Sequence, residues 1–181
     1  MQAIDTRIPG VKILEWPVFR DSRGSFQEVF RRDALLAAGI DYDWKQDNLS
    51  VSARNVIRGL HYQLVQPQAK LIQVAHGAVF DVAVDIRRSS PTFGQHVAVE
   101  LKAGDGKALL IPAGFAHGFV SLEADTAFLY KVSETYYAAG DRTILWNDPA
   151  LAISWPIAEQ DAIVSEKDSR GKPFASAEVF P

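Results

Sequence analysis

The chain has 181 residues, with 22 acidic against 19 basic side chains, a formal net charge of −3 and 48% hydrophobic residues. That balance belongs to one ordinary folded domain and not to a disordered or fibrous chain. The absence of cysteine removes disulfides, thiolate metal sites and thiol nucleophiles together. Mild acidity without a Lys/Arg run argues against a nucleic-acid partner or an anionic membrane surface, and no apolar stretch is long enough to span a bilayer. The opening MQAIDTRIPG lacks the basic and apolar regions of a secretory signal, so the expected compartment is the cytoplasm.

Taken in chain order, apolar residues recur with period two in short runs broken by Gly, Pro, Asn or Asp, which predicts many short strands. The segments are VKILEWPVF, SFQEVF, VIRGLHYQL, KLIQVAHG, AVFDVAVDI, HVAVEL, KALLIP, HGFVSL and TAFLYKVSETYY. So many strands with few helical signals between them point to a sandwich, jelly roll or barrel, the architectures that dispose of exposed strand edges. Two stretches read as helical: Asp33 caps a short ALLAA turn that Gly39 ends, and PIAEQDAIV forms one or two turns. No linker or repeat divides residues 1–181, so a single domain is expected. Residues 160 to 181 lose the alternation, and the C-terminal segment 157–181 is expected to pack on the barrel surface.

In a strand-rich chain the informative residues are polar ones on faces that should be apolar, because burying them without a partner is costly. Strict alternation puts His61 and Gln63 on one face of VIRGLHYQL with Gly59, and Arg58, Leu60 and Tyr62 on the other. Lys70, Ile72, Val74 and His76 share a face, and Asp81 and Asp85 lie opposite the apolar set Phe80, Val82, Val84 and Ile86. Singly, such residues are usually solvated; converging on the concave interior of a jelly roll, they make an acid–base and anion-binding pocket. A metal site would need more histidines than this. The position two beyond His61 is Gln63, a poor ligand beside imidazole, so a three-histidine centre is not expected, although His61 and His117 remain able to meet across the cavity.

RGLHYQ at 58–63, DVAVDIRRSSPTFG at 81–94 and IPAGFAHGF at 111–119 resemble the dTDP-4-dehydrorhamnose 3,5-epimerase family. RDSRGSFQEVF, QDNLSVS, FLYK, ILWNDP and SEKD extend the resemblance over nearly the whole chain. It implies an all-β, cupin-type jelly roll (double-stranded β-helix) with a few short helices, an active site without metal or cofactor, and a homodimer that exchanges N-terminal strands. It also implies a dTDP-sugar substrate, dTDP-4-dehydro-6-deoxy-D-glucose, whose C4 ketone acidifies the protons on C3 and C5.

By the same resemblance His61 is the base, Asp168 orients it, Tyr130 is the acid on the other face of the sugar, and Lys70 stands beside the C4 oxygen, where positive charge favours the enolate. Arg23, Arg58 and Lys167 match the diphosphate ligands. Gln46 and Asn48 match the thymine edge, with Phe26 able to stack on it and Glu28 to accept a hydroxyl or ring N–H. His117 matches a sugar-pocket residue with Asp81 as its partner, and Asp141 stands where the family commonly has Glu. Arg58 and His61 lie on opposite faces under strict alternation, so either Gly59 permits a bulge or Arg58 serves another part of the site. Three other readings compete: a single-site deoxysugar-nucleotide epimerase, a metal-dependent cupin enzyme and a catalytically silent binding module.

Overall fold

The computed structural model covers residues 1–181, and its regular structure is mostly strand. In chain order these are β1 (Gln2–Asp5), β2 (Lys12–Glu15), β3 (Val18–Asp21), β4 (Gly24–Gln27), β5 (Gln46–Ser52), β6 (Val56–Gln63) and β7 (Lys70–His76). They continue with β8 (Ala78–Asp85), β9 (His96–Lys102), β10 (Lys107–Ile111), β11 (Phe115–Ser121), β12 (Thr126–Val132), β13 (Asp141–Thr143) and β14 (Ile163–Val164). Two helices interrupt them, α1 (Arg32–Ala37) and α2 (Glu166–Ser169), and neither is long enough to cross a membrane.

The strands form two facing sheets, ordered β1-β2-β10-β7-β12-β5 and β13-β6-β11-β8-β9, with β14 added in parallel to β6. This is the jelly roll that the family resemblance implies, one of the three architectures that the alternation allows. Ile72, Val74, Leu109, Ile111 and Phe128 from the first sheet meet Val79, Ala83, Val97, Leu101, Phe115 and Phe119 from the second in one buried cluster. Each large side chain buried there contributes about 1.5–3 kcal/mol relative to exposure. Leu60, Tyr62, Val82, Val84 and Ile86 face the other way, into a second cluster closed by Ile144, Leu151 and Ala177.

Several expectations need correction. VKILEWPVF is two strands, broken at Trp16 and Pro17, and β3 pairs only with β4, as a separate hairpin. Asp33 does not cap α1: the N-cap is Arg31, and Asp33 sits in the first turn, where a carboxylate still favours the helix dipole. Gly39, at φ +74°, ends the helix as expected. PIAEQDAIV gives only one 3-10 turn, Glu159–Asp161, before β14. His76 leaves the face of Ile72 and Val74 because the β7–β12 register shifts there; it is the exposed last residue of β7, and its Nδ1 lies 3.1 Å from the Asp125 carbonyl.

The largest departure from strict alternation lies in β6. His117 pairs with His61, whereas Phe119 pairs with Arg58, so β6 carries one extra residue between these two pairings. Across that bulge Ile57, Leu60 and Tyr62 face the outer clusters while Arg58 and His61 come to the same, inner side. Gly59 permits this: at φ +130° a Cβ would sit 2.5 Å from Gly118 Cα and 2.7 Å from the His117 carbonyl oxygen.

The C-terminal residues run over the second sheet. Lys172 donates its amide to Thr143, the Phe180 amide donates to Ile86, and the Tyr62 hydroxyl donates to the Glu178 carbonyl.

Candidate active site

The ladder registers place the polar residues in rows on the two inner faces. In the second sheet one row reads Thr143, His61, His117, Ala83, and the next reads Arg58, Phe119, Asp81. In the first sheet one row reads Gln46, Val132, Lys70, Ile111, and the next Asn48, Tyr130, Ile72, Leu109. Residues directly opposite in an antiparallel pair share a face. His61 therefore rises from one sheet, while Lys70 and Tyr130 rise from the sheet that faces it.

His61 Nε2 lies 2.5 Å from Oδ1 of Asp168, and Oδ2 of the same carboxylate accepts from the Gly59 amide at 3.3 Å. Asp168 is held by α2, where Ser165 is the N-cap and its Oγ accepts from the Asp168 amide at 3.1 Å. The carboxylate is nearly fully buried. Burial alone raises its pKa; the hydrogen bonds from His61, Gly59 and Ser165 outweigh that and hold it below the ordinary value. A carboxylate on Nε2 fixes the ring tautomer and leaves Nδ1 as the nitrogen able to take a proton.

Lys70 is buried, with Nζ 3.4 Å from the His61 carbonyl oxygen. Burial lowers its ammonium to about 8, with Lys167 adding to the effect and the charges of Asp81 and Asp141 opposing it. Tyr130 is half-buried, and desolvation raises its phenol above the ordinary value against the pull of Arg58. Arg58 reaches across to β5, where its Nε donates to Ser52 Oγ at 3.1 Å. His117 Nε2 is 2.9 and 3.0 Å from the two oxygens of Asp81, both side chains being buried.

The remaining expected residues fall into two groups. Gln46 donates to Asn48 Oδ1 at 2.6 Å, and Asp141 accepts from the Lys167 ammonium and, at 3.2 Å, from the Tyr136 hydroxyl. These residues belong to the rows above or are tied to them. Arg23, Phe26 and Glu28 do not join them within this chain. Arg23 is paired with Asp21 at the hairpin turn and Glu28 with Arg31, and Phe26 is 67% exposed. Asp85, read with Asp81 as a face-sharing carboxylate, anchors a turn instead, accepting from Arg87, Ser90 and Thr92.

The structure adds residues the sequence reading passed over. Ser165 could have been found, because Ser-x-x-Asp at 165–168 is a capping pattern. Ser52 and Tyr136 carry no such signal; the Tyr136 amide donates to Gln46 Oε1 at 3.0 Å, tying the segment after β12 to the first sheet. Gln63 is taken up by structure: its amide donates to the carbonyls of Gln66 and Thr135 and accepts from the Tyr137 amide.

A jelly roll whose lumen opposes a carboxylate-held imidazole to a phenol and a buried ammonium is equipped for proton transfer at a polar ligand, and this defines an acid–base enzyme of the jelly-roll class. The particular family follows from comparison. The dTDP-4-dehydrorhamnose 3,5-epimerase model matches residues 5–176, and the chain belongs to that family. It is 50% identical to the dTDP-4-dehydrorhamnose 3,5-epimerase of Pseudomonas aeruginosa over 183 residues, covering 100% of both chains.

Among solved structures it is similar to dTDP-6-deoxy-D-glucose-3,5-epimerase from Legionella pneumophila in complex with dTDP-4-keto-L-rhamnose. The TM-score is 0.94 at 44% identity, over 98% of this chain and 94% of that one. It is also similar to ChmJ, a 3'-monoepimerase from Streptomyces bikiniensis in complex with dTDP-quinovose. There the TM-score is 0.88 at 33% identity, over 96% of this chain and 88% of that one.

Proposed function

We propose that this chain inverts both C3 and C5 of dTDP-4-dehydro-6-deoxy-D-glucose to give dTDP-4-dehydro-L-rhamnose, on the route to dTDP-L-rhamnose. The observation that carries the reading is the opposition of His61 and Tyr130 on facing sheets, with Lys70 buried beside the His61 backbone. Inversion requires a proton to leave one face of a carbon and return to the other, so base and acid must flank the sugar ring. His61 takes the proton from carbon, and the electron pair of the C–H bond moves to the C4 oxygen as the enolate. The Lys70 ammonium stabilises that oxygen more than it stabilises the ketone. Tyr130 then donates its proton to the opposite face of the carbon, and exchange with solvent resets both groups.

The substrate's nucleotide falls to Arg58, Gln46, Asn48, Lys167 and Asp141. Arg23, Phe26 and Glu28 serve a site in a second copy: the β3–β4 hairpin pairs with no other strand of its own chain, and Phe19 and Phe26 are exposed on it. The assembly we infer is therefore a homodimer exchanging this N-terminal hairpin, while β1 and β2 stay in their own sheet. The working compartment we infer is the cytoplasm, because a charged nucleotide sugar does not cross a bilayer unaided and is used where it is made.

The test is NMR of the purified protein with dTDP-4-dehydro-6-deoxy-D-glucose in deuterated water, without added metal or nicotinamide. Deuterium is expected at both C3 and C5. Deuterium at one carbon would make it a single-site epimerase, and none at either would remove the reading.

A further inference from the structure

Asp81 lies in the middle of β8, opposite Phe119 of β11 and Val99 of β9, with no exposed surface. A carboxylate so deeply buried needs a partner, and its hydrogen-bonding partner is His117 Nε2, held by both oxygens at 2.9 and 3.0 Å. An ionised carboxylate only accepts, so Nε2 carries the hydrogen. Burial pushes the His117 imidazole below its ordinary pKa despite the nearby Asp81 charge, which favours the neutral ring with a single N–H. Nδ1 therefore keeps its lone pair.

The ring cannot easily trade one nitrogen for the other. It stacks on Phe128 with centroids 6.0 Å apart and planes 15° from parallel, and Phe128 is itself stacked on Phe119 at 4.0 Å. Nδ1 forms no hydrogen bond within the protein and is not among the sealed, unpaired polar atoms. In the cross-strand row His117 sits directly beside His61. A hydrogen-bond acceptor is thus held one strand from the base, close enough to Lys70 to feel the charge of its ammonium.

We propose that Asp81 is a positioning residue: it fixes His117 as the Nε2–H tautomer, so that Nδ1 offers its lone pair to a ring hydroxyl, at C2 or C3, of the sugar undergoing reaction. The proposal rests on the reading that this pocket holds a 4-keto-6-deoxy sugar. It makes Asp81 a determinant of both orientation and specificity, because a site built to pair a hydroxyl rejects the analogue that lacks it. Asp81 acts through His117 and does not touch the substrate.

The experiment is nitrogen-resolved NMR of the histidine rings in the full-length protein. With four histidines in the chain, a His117→Asn variant identifies the resonances. Nε2 is expected protonated and Nδ1 unprotonated, with and without dTDP. In Asp81→Ala, or in Asp81→Leu should the alanine variant fail to fold, the two tautomers are expected to mix. The kcat/KM for the 4-keto sugar should fall about 10- to 100-fold, the scale of one misdirected polar contact, while dTDP affinity stays within about twofold. Asp81→Asn, which retains an acceptor oxygen for Nε2–H, should recover both the tautomer and much of the rate. An Nδ1–H ring or an imidazolium in the wild-type protein overturns the proposal, as does a folded Asp81 variant with mixed tautomers and an unchanged rate. Should the wild-type protein fail to turn over the 4-keto sugar, the substrate reading falls while the tautomer measurement still decides what Asp81 does.

Discussion

Asp168 and His61 are separated by 107 positions in the chain and by 2.5 Å in space. The carboxylate arrives on a four-residue helix near the C-terminus, is capped by Ser165, and takes a second hydrogen bond from Gly59, two residues before the histidine it serves. Asp168→Asn should keep the shape and lose the charge that stabilises the imidazolium. The expected result is a fall in kcat of about 100- to 10,000-fold with dTDP affinity nearly unchanged, by analogy with the loss of an orienting carboxylate in serine hydrolases. Steady-state kinetics with calorimetric dTDP binding measures both, and a rate within threefold of wild type would mean that the pair is only structural.

Tyr130 faces His61 from the other sheet, and burial raises its pKa, which favours the protonated phenol that the proposed acid needs. Tyr130→Phe is expected to retain deuterium exchange at a carbon that His61 reaches while losing full inversion. The product stereochemistry, read after reduction of the ketone, should shift from the double to a single epimer. An unchanged product would assign the acid elsewhere.

Lys70 has a folded pKa of about 8 against an ordinary 10.5. Activity that needs the ammonium should therefore decline as pH rises, with an alkaline limb in kcat/KM near 8, and Lys70→Arg should move that limb upward because guanidinium stays charged. Stability moves the other way. Between pH 8 and 10.5 the unfolded chain still binds the proton that the folded protein has released, so folding stability rises with pH through this window. Below it, holding the charged ammonium in the barrel costs roughly 3 kcal/mol. Lys70→Met is accordingly expected to raise the Tm at pH 7 while removing activity, and a lowered Tm would show that the ammonium has a net favourable environment.

The legible part of this molecule is the part where local pattern and tertiary role agree. The apolar alternation of β9 gives its faces directly, and Asp81 stands out because it interrupts Val79 and Ala83 on the core face of β8. β5 hides its role because it is inverted: Gln46, Asn48, Ser50 and Ser52 share a face with Tyr130, while Leu49 and Val51 are exposed. A reader of periodicity would turn that strand over. β13 and β14 are too short to show a period at all. The pairing of Asp168 with His61 and the roles of Tyr130 and Lys70 entered through resemblance, since no local rule connects an Asp in a polar tail to a His on a strand. Strict alternation alone misplaces Arg58, because one extra residue reverses the parity of everything beyond it; of the two alternatives the pattern leaves open, the structure has the bulge at Gly59.

That extra residue rests on two facing glycines. A Cβ on Gly59 would overlap Gly118 Cα at 2.5 Å and the His117 carbonyl oxygen at 2.7 Å, and both are backbone atoms with no rotamer to yield. Gly59→Ala is expected to lower stability by about 2–4 kcal/mol, from overlap and an unfavourable φ together, and to reduce kcat further by turning His61 away from Asp168. Urea unfolding gives the first quantity, and kcat at a temperature where the variant is still folded gives the second. Wild-type stability would mean that the bulge can relax without cost.

The β3–β4 hairpin supplies the last test, because its Arg23 and Phe26 stand apart from the acid–base rows of their own chain. If the hairpin completes the site of a second copy, His61→Ala and Arg23→Ala homodimers are each impaired for different reasons. Mixing them under conditions that exchange subunits creates a hybrid in which the intact His61 of one chain meets the intact Arg23 of the other. Random exchange makes half the dimers hybrid with one complete site in two, so about a quarter of wild-type activity should return. Recovery distinguishes an exchanged hairpin from one that folds back on its own barrel, where mixing two impaired proteins restores nothing. The same mixture run at high salt should recover less, because an exposed guanidinium reaching a diphosphate across a subunit boundary is screened.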